Sequence, residues 1–381
     1  MSLLKMYETF PITIDHAEGC YIYDKSERKF FDTFSGIGVM SFGHSYKPLL
    51  KTLHEKMEKY THLSNFFLDN DAIWVAEKLE SFTGKNGTVY FTNSGTEATE
   101  AALKAIKKRA NSKRNKIVYF ENAFHGRTLG ALSINGFKNL REPFDPLLPN
   151  TVQLKFNDFE DLNKYFELFG EETLAVFVEA ILGSGGVLPI DLNFAKELEN
   201  YKKKYNFILV CDEIQAGLGR TGRVFSYQHY GLTPNIITIG KSIGGGLPLG
   251  ATIFLENLSQ AFEKGEHGST FAPNPVSLAG AKFVLENMPD LLTDVQEKGD
   301  YIVKSLCSKK LSKVKEIRGK GLMIGIELKD EDTSIKEKGF NEGILLNVLK
   351  NKIIRILPPL NIKYDDIEVM LEKLEMILSD S

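Results

Sequence analysis

The chain has 381 residues, 43% hydrophobic and 25% charged, which is apolar surface enough for a large core and excludes disorder as its main state. Lys and Arg number 47 against 50 Asp and Glu, and the formal net charge of −3 excludes the basic excess of a nucleic-acid binder. Cys20, Cys211 and Cys307 are too widely spaced for a disulfide framework or a zinc site, and no HExxH occurs, so no metal is expected. No run approaches the ~18 apolar residues of a membrane helix. The opening residues lack the apolar core of a signal peptide, which with the unpaired cysteines predicts a cytoplasmic location.

In chain order, strand-like pieces fill residues 19–34, and helices are expected over 47–60 and 71–82. Short apolar runs then alternate with helical stretches. The runs are 89–91, 117–120, 174–178, 207–210, 236–239 and 251–254, and helical patterns such as 97–109 and 193–204 lie between them. Unbroken apolar strands alternating with helices predict an α/β domain with a largely parallel, buried sheet. Beyond about residue 287 the pattern changes to a long amphipathic helix (291–309), strands at 314–318 and 321–328, and a final helix (364–378). This reads as a smaller α+β domain. The expected division is 1–46 packing with the small domain, 47–287 as the large domain and 288–381 as the small one.

Ligands of open parallel sheets bind at the carboxyl ends of strands, so the residues just after each run carry the functional reading. They are Asn93-Ser94-Gly95-Thr96-Glu97, Phe124-His125-Gly126-Arg127-Thr128, Glu179, Asp212-Glu213-Ile214-Gln215 and Gly240-Lys241-Ser242. Each has a plain structural alternative. Ser94 and Glu97 form a capping box, Asp212 can cap a helix, Phe124 can be core and Lys241 can be solvated. Together they supply a helix N-terminus for an anion, an aromatic for stacking, an acid for a pyridinium nitrogen and an amine for a Schiff base. These are the parts of a pyridoxal-phosphate site. Arg355 interrupts the apolar run Ile353-Ile354-Arg355-Ile356-Leu357, an odd place for a solubilising cation.

Two other motifs are set aside. Gly217 to Gly222 matches GxGxxG but neither follows its strand directly nor opens a clear helix. Gly240-Lys241-Ser242 ends like a P-loop, yet Asn235 stands where the earlier glycine is required.

Further segments extend the pattern: Ser35 to Val39, Phe42-Gly43-His44, Gly219 to Gly222, His267 to Phe271, Arg318 to Met323 and Arg355 to Leu360. With the strand-end motifs they resemble the class III pyridoxal-phosphate-dependent aminotransferases over nearly the whole chain, most closely members acting on acetylornithine. The resemblance implies the fold type I architecture, pyridoxal 5'-phosphate as cofactor and a homodimer with shared active sites. It implies Lys241 as the Schiff-base lysine and proton shuttle, and Asp212 as partner of the pyridine nitrogen. Gln215 would lie near the phenolic oxygen and Phe124 would stack on the ring. Glu179 is a further cofactor-site residue, and Ser94, Gly95 and Thr96 form the phosphate cup. Thr270 is the phosphate ligand that one subunit lends the other. Arg127, Arg355 and Ser269 are implied as substrate-binding residues. The implied reaction passes the terminal amine of N2-acetylornithine to 2-oxoglutarate, giving N-acetylglutamate semialdehyde and glutamate. Ornithine, 4-aminobutyrate, N-succinyl-diaminopimelate or a lysine-pathway amine is the alternative donor.

The chain also departs from the family. Ser184 stands where relatives carry a glutamate that can pair with the arginine matching Arg355, Leu68 replaces an aromatic, and Ala272-Pro273 replaces two glycines. These changes bear on the substrate rather than the cofactor.

Overall fold

The computed structural model of the protein describes residues 3–309 and 311–379. The N-terminal strands β1 (Ile14–Glu18), β2 (Tyr21–Asp24) and β3 (Lys29–Asp32) pair antiparallel in succession. The central sheet takes β4 (Gly87–Thr92), β5 (Lys116–Phe120), β6 (Thr151–Leu154) and β7 (Thr173–Val178). A small hairpin of β8 (Ile181–Leu182) and β9 (Leu188–Pro189) follows. The central sheet continues with β10 (Ile208–Asp212), β11 (Ile236–Ile239) and β12 (Gly250–Leu255).

The central order is β4-β12-β11-β10-β7-β5-β6. Only β12 runs against its neighbours, so the expected strand at 251–254 is the antiparallel member. Because β12 is antiparallel to both β11 and β4, the second reversal restores the direction of β4. The chain therefore leaves β4, β5, β7, β10 and β11 at one edge, which is where a site can be assembled.

Every residue of β7, β11 and β12 is buried, as a sheet covered on both faces requires. The helix Gly95–Lys107 covers part of one face with Ala98, Ala101, Ala102 and Ala105, whose small side chains let it lie close. The expected helix at 193–204 spans Leu192–Tyr205. Asp191 accepts from the Asn193 and Phe194 amides at its start, and left-handed Asn206 ends it. Strand β6 and the helices Phe159–Phe169 and Pro275–Asn287 add to the sequence expectation. β6 is an edge strand with three half-buried residues, including Gln153, and so lacks the apolar run that reveals the others.

The C-terminal strands are β13 (Val314–Lys320), β14 (Met323–Leu328), β15 (Ile344–Leu345), β16 (Asn347–Leu349) and β17 (Ile353–Ile356). Four of them form a sheet in the order β13-β14-β17-β16. The fifth, β15, pairs parallel with β3, which joins the N-terminal strands to the C-terminal part of the chain. Helices Leu292–Ser308 and Tyr364–Leu378 match the two expected there within a residue or two.

Candidate active site

The edge beyond β4, β5, β7, β10 and β11 gathers most of the candidate residues. At β4, Ser94 caps the helix Gly95–Lys107 by accepting the Glu97 amide, and the Glu97 carboxylate reaches back to the Asn93 amide at 2.7 Å. Ser94 thus caps the helix, while Glu97 bonds the amide before the cap and not the cap's own, so the reciprocal box does not form; the cap leaves the Gly95 and Thr96 amides at the head of the helix without intrahelical acceptors. Both are suited to an anion. A side chain at Gly95 would come within 2.8 Å of Ile214, and Gly240 packs on its Cα, so the helix tip touches the strand end that carries Lys241.

The Thr96 hydroxyl accepts the Arg127 amide at 3.0 Å, which ties the loop after β5 to this helix. On that loop the Phe124 amide donates to Glu179 Oε1 at 2.7 Å. Arg127 is exposed, its guanidinium carbon 5.4 Å from the Phe124 ring centroid, within cation–π range.

Asp212 closes β10 and is buried. Its Oδ1 accepts the Ile214 amide at 3.0 Å, and its Oδ2 lies 2.7 Å from His125 Nδ1. Burial opposes a charge on His125, but the hydrogen bond and charge of Asp212, with the charge of Glu179, hold its pKa above the ordinary value. The contact fixes the direction in which the Asp212 carboxylate points. Sequence reasoning gave His125 no role, and its only signal was its place in the strand-end motif. Glu179 is buried too, accepting the Phe124 and Gly183 amides. Burial first, then the charge of Asp212, raises its carboxyl to about 7.

Lys241 follows β11 with φ at +50°, a left-handed conformation costly for a residue with a side chain and often kept where function demands it. Burial lowers its amine to about 8; Asp212 pulls it up, Arg355 pushes it down and Glu179 pulls it up again. Roughly a tenth is therefore free amine at pH 7, far more than at the ordinary lysine value, and a nucleophile must be in that form.

Arg355, on β17, is 3% exposed. Its Nε donates to Asn347 Oδ1 at 2.9 Å and its Nη1 to Gln215 Oε1 at 3.0 Å. No acid bonds Arg355 in place of the one lost at Ser184: among the described residues both its hydrogen-bond partners are neutral, and Glu179 acts on it only through its charge. Gln215 is held through this contact, and Asn347 is a second residue that sequence reasoning passed over. Ser269 comes to the edge of the site by accepting from Asn93 Nδ2 at 3.0 Å. Thr270, next in the chain to Ser269, is exposed and makes no hydrogen bond among the described residues.

The donor set fits pyridoxal phosphate: an N-terminal helix cup whose glycine a Cβ would crowd, a buried acid aimed by an imidazole, a half-buried ring and an amine of lowered pKa. Comparison with known proteins agrees. The family described as aminotransferase class-III matches residues 4–378. The chain is 38% identical to the acetylornithine aminotransferase of Aquifex aeolicus, over 99% of each chain. It is also 38% identical to the acetylornithine/succinyldiaminopimelate aminotransferase of Buchnera aphidicola, covering 96% of this chain and 91% of that one. Among solved structures it superposes on the ornithine aminotransferase of Toxoplasma gondii, whose active site is partially occupied by pyridoxal phosphate, with a TM-score of 0.93 and 26% identity; the match covers 99% of this chain and 91% of that one. With the cofactor-site chemistry and the family match in agreement over almost its entire length, this chain belongs to the class III aminotransferases, enzymes that depend on pyridoxal phosphate.

Proposed function

We propose that the enzyme takes the terminal amine of N2-acetylornithine and passes it to 2-oxoglutarate. The observation that carries this reading is a pair of arginines in different settings, Arg127 exposed beside Phe124 and Arg355 buried between two amides. Two separate guanidinium groups suit substrates with acidic ends: the two carboxylates of 2-oxoglutarate, and the carboxylate that N2-acetylornithine carries far from its reacting amine. The names of relatives that are 34–39% identical support the donor.

Pyridoxal phosphate, when bound, supplies an aldehyde for the amine and a pyridinium ring that takes up the electron pair of the deprotonated carbon. The Gly95 and Thr96 amides with Ser94 would hold its phosphate, Phe124 its ring face, Asp212 its ring nitrogen, Gln215 its phenolic oxygen, and Glu179 would brace the loop beneath. Lys241 Nζ would hold the aldehyde carbon, and with substrate in place would move the proton at the carbon bearing the transferred nitrogen. Burial keeps that amine partly unprotonated, so it can accept the proton. Arg127 would orient the donor's distant carboxylate and Arg355 the carboxylate next to the reacting carbon of the acceptor, with Ser269 beside them.

A homodimer with shared sites is part of the proposal. Exposed Phe66, Phe67, Leu68 and Phe271 form an apolar ridge beside Thr270, tied together by Asn65, which donates to the Ser269 and Ala272 carbonyls. A second copy covering this ridge would bring Thr270 to the other subunit's phosphate cup. We also assign residues 47–287 to the cofactor-binding domain, with 288–381 as the small domain against which 1–46 packs, and the cytoplasm as the location. The three free cysteines and the absence of any described helix long and apolar enough to cross a membrane support that location.

The experiment is a donor panel with 2-oxoglutarate, reading glutamate formation. N2-acetylornithine should give the highest kcat/KM. If ornithine, 4-aminobutyrate, N-succinyl-diaminopimelate or lysine exceeds it tenfold, that amine replaces it as the donor.

A further inference from the structure

Arg355 is 3% exposed, yet among the described residues no carboxylate pairs with it. A buried guanidinium without an acid is costly unless an anion arrives to meet it. Its hydrogen bonds go to two amide carbonyls, Asn347 Oδ1 and Gln215 Oε1, which fix the plane without cancelling the charge. Of the five N–H groups of a guanidinium, three remain, two on Nη2 and one on Nη1, enough for a bidentate grip on a carboxylate.

The clamp is built into the backbone. Asn347 on β16 lies directly opposite Arg355 on β17. That register is set by the turn at 349–352, where the Lys352 amide bonds the Leu349 carbonyl and Lys350 and Asn351 both have φ near +50°. Gln215 reaches Arg355 only because residue 183 is glycine, since a Cβ there would lie 2.1 Å from Oε1. Burial lowers Arg355 to about 10 while the charge of Glu179, which does not bond it, pulls the other way, so it is still cationic at neutral pH.

We propose that Asn347 is a positioning and specificity-determining residue for the acceptor: it orients Arg355 while leaving its charge free for the carboxylate of a 2-oxo acid. This rests on the reading of Arg355 as the acceptor's carboxylate site. An acid at position 347 would occupy the same guanidinium and compete with the substrate.

The test compares wild type with N347D, N347A and R355K, measuring KM for 2-oxoglutarate and for the amino donor separately, with the visible absorption of the bound cofactor as the check on folding. N347D should raise the 2-oxoglutarate KM about tenfold or more and leave the donor KM within about twofold. N347A, which loses orientation but adds no charge, should raise the acceptor KM about threefold or more. If N347D does not fold, N347A decides by the same split. An unchanged acceptor KM in the folded variants, or an equal rise for donor and acceptor, overturns the role of Asn347. R355K separates the two claims. If it leaves the acceptor KM unchanged, the reading of Arg355 itself fails; if it raises that KM while the Asn347 variants do not, only the inference about Asn347 fails.

Discussion

His125 Nδ1 lies 2.7 Å from Asp212 Oδ2, and neither side chain is exposed beyond 3%. The pair links the loop after β5 to the end of β10, and on the proposed role of Asp212 toward the cofactor nitrogen it makes His125 a positioning residue. His125→Ala leaves one Asp212 oxygen unpaired in a buried site, and loss of a hydrogen bond to a charged group is worth about 1.5–3 kcal/mol. We expect kcat to fall at least about tenfold with substrate KM little changed. His125→Asn, which keeps a donor near the Nδ1 position, should recover part of the loss. Steady-state kinetics of the two variants checks this, and equal activity for Ala and Asn would remove the role of the hydrogen bond.

Arg127 is exposed over Phe124, and its proposed grip on a donor carboxylate would use the fork of the guanidinium as well as its charge. Arg127→Lys keeps the charge and loses the fork. The donor KM should rise about tenfold with kcat less affected. An unchanged donor KM would remove Arg127 from the substrate site.

Gly95 admits the helix tip against Ile214 and Gly240. Gly95→Ala would place a methyl 2.8 Å from Ile214, which should push the Gly95 and Thr96 amides away from the proposed phosphate position. Cofactor affinity, measured by equilibrium titration of apoprotein, should fall about tenfold or more, while thermal stability without cofactor falls far less than for a core truncation. Undiminished affinity would count against the cup.

Lys241 has its amine near 8, and only the unprotonated form attacks an aldehyde. The rate of cofactor uptake by apoprotein should therefore rise about tenfold between pH 7 and pH 9 and level off above that. An amine at its ordinary value would keep accelerating past pH 10. Arg355 pushes the Lys241 pKa down, so Arg355→Ala should move the plateau to higher pH.

Much of this was legible in the sequence because buried parallel strands announce themselves as apolar runs, and the residues that end them must share an edge. That logic reaches Ser94, Gly95, Thr96, Phe124, Glu179, Asp212 and Lys241. It does not reach His125, whose partner is 87 positions away across the sheet. It also misses Asn347, which meets Arg355 only through the register of a hairpin. Ser184 registers in the sequence as a missing acid; only the fold reveals two amides on the arginine instead. β12 reads as one more parallel strand because direction leaves no trace in composition.

The most direct measurement is borohydride reduction of the purified holoenzyme followed by peptide mass spectrometry. The expected result is the mass of a reduced pyridoxyl phosphate on the peptide carrying Lys241, and its loss from that peptide when N2-acetylornithine is added before reduction. The label on another lysine, or on none, would contradict it.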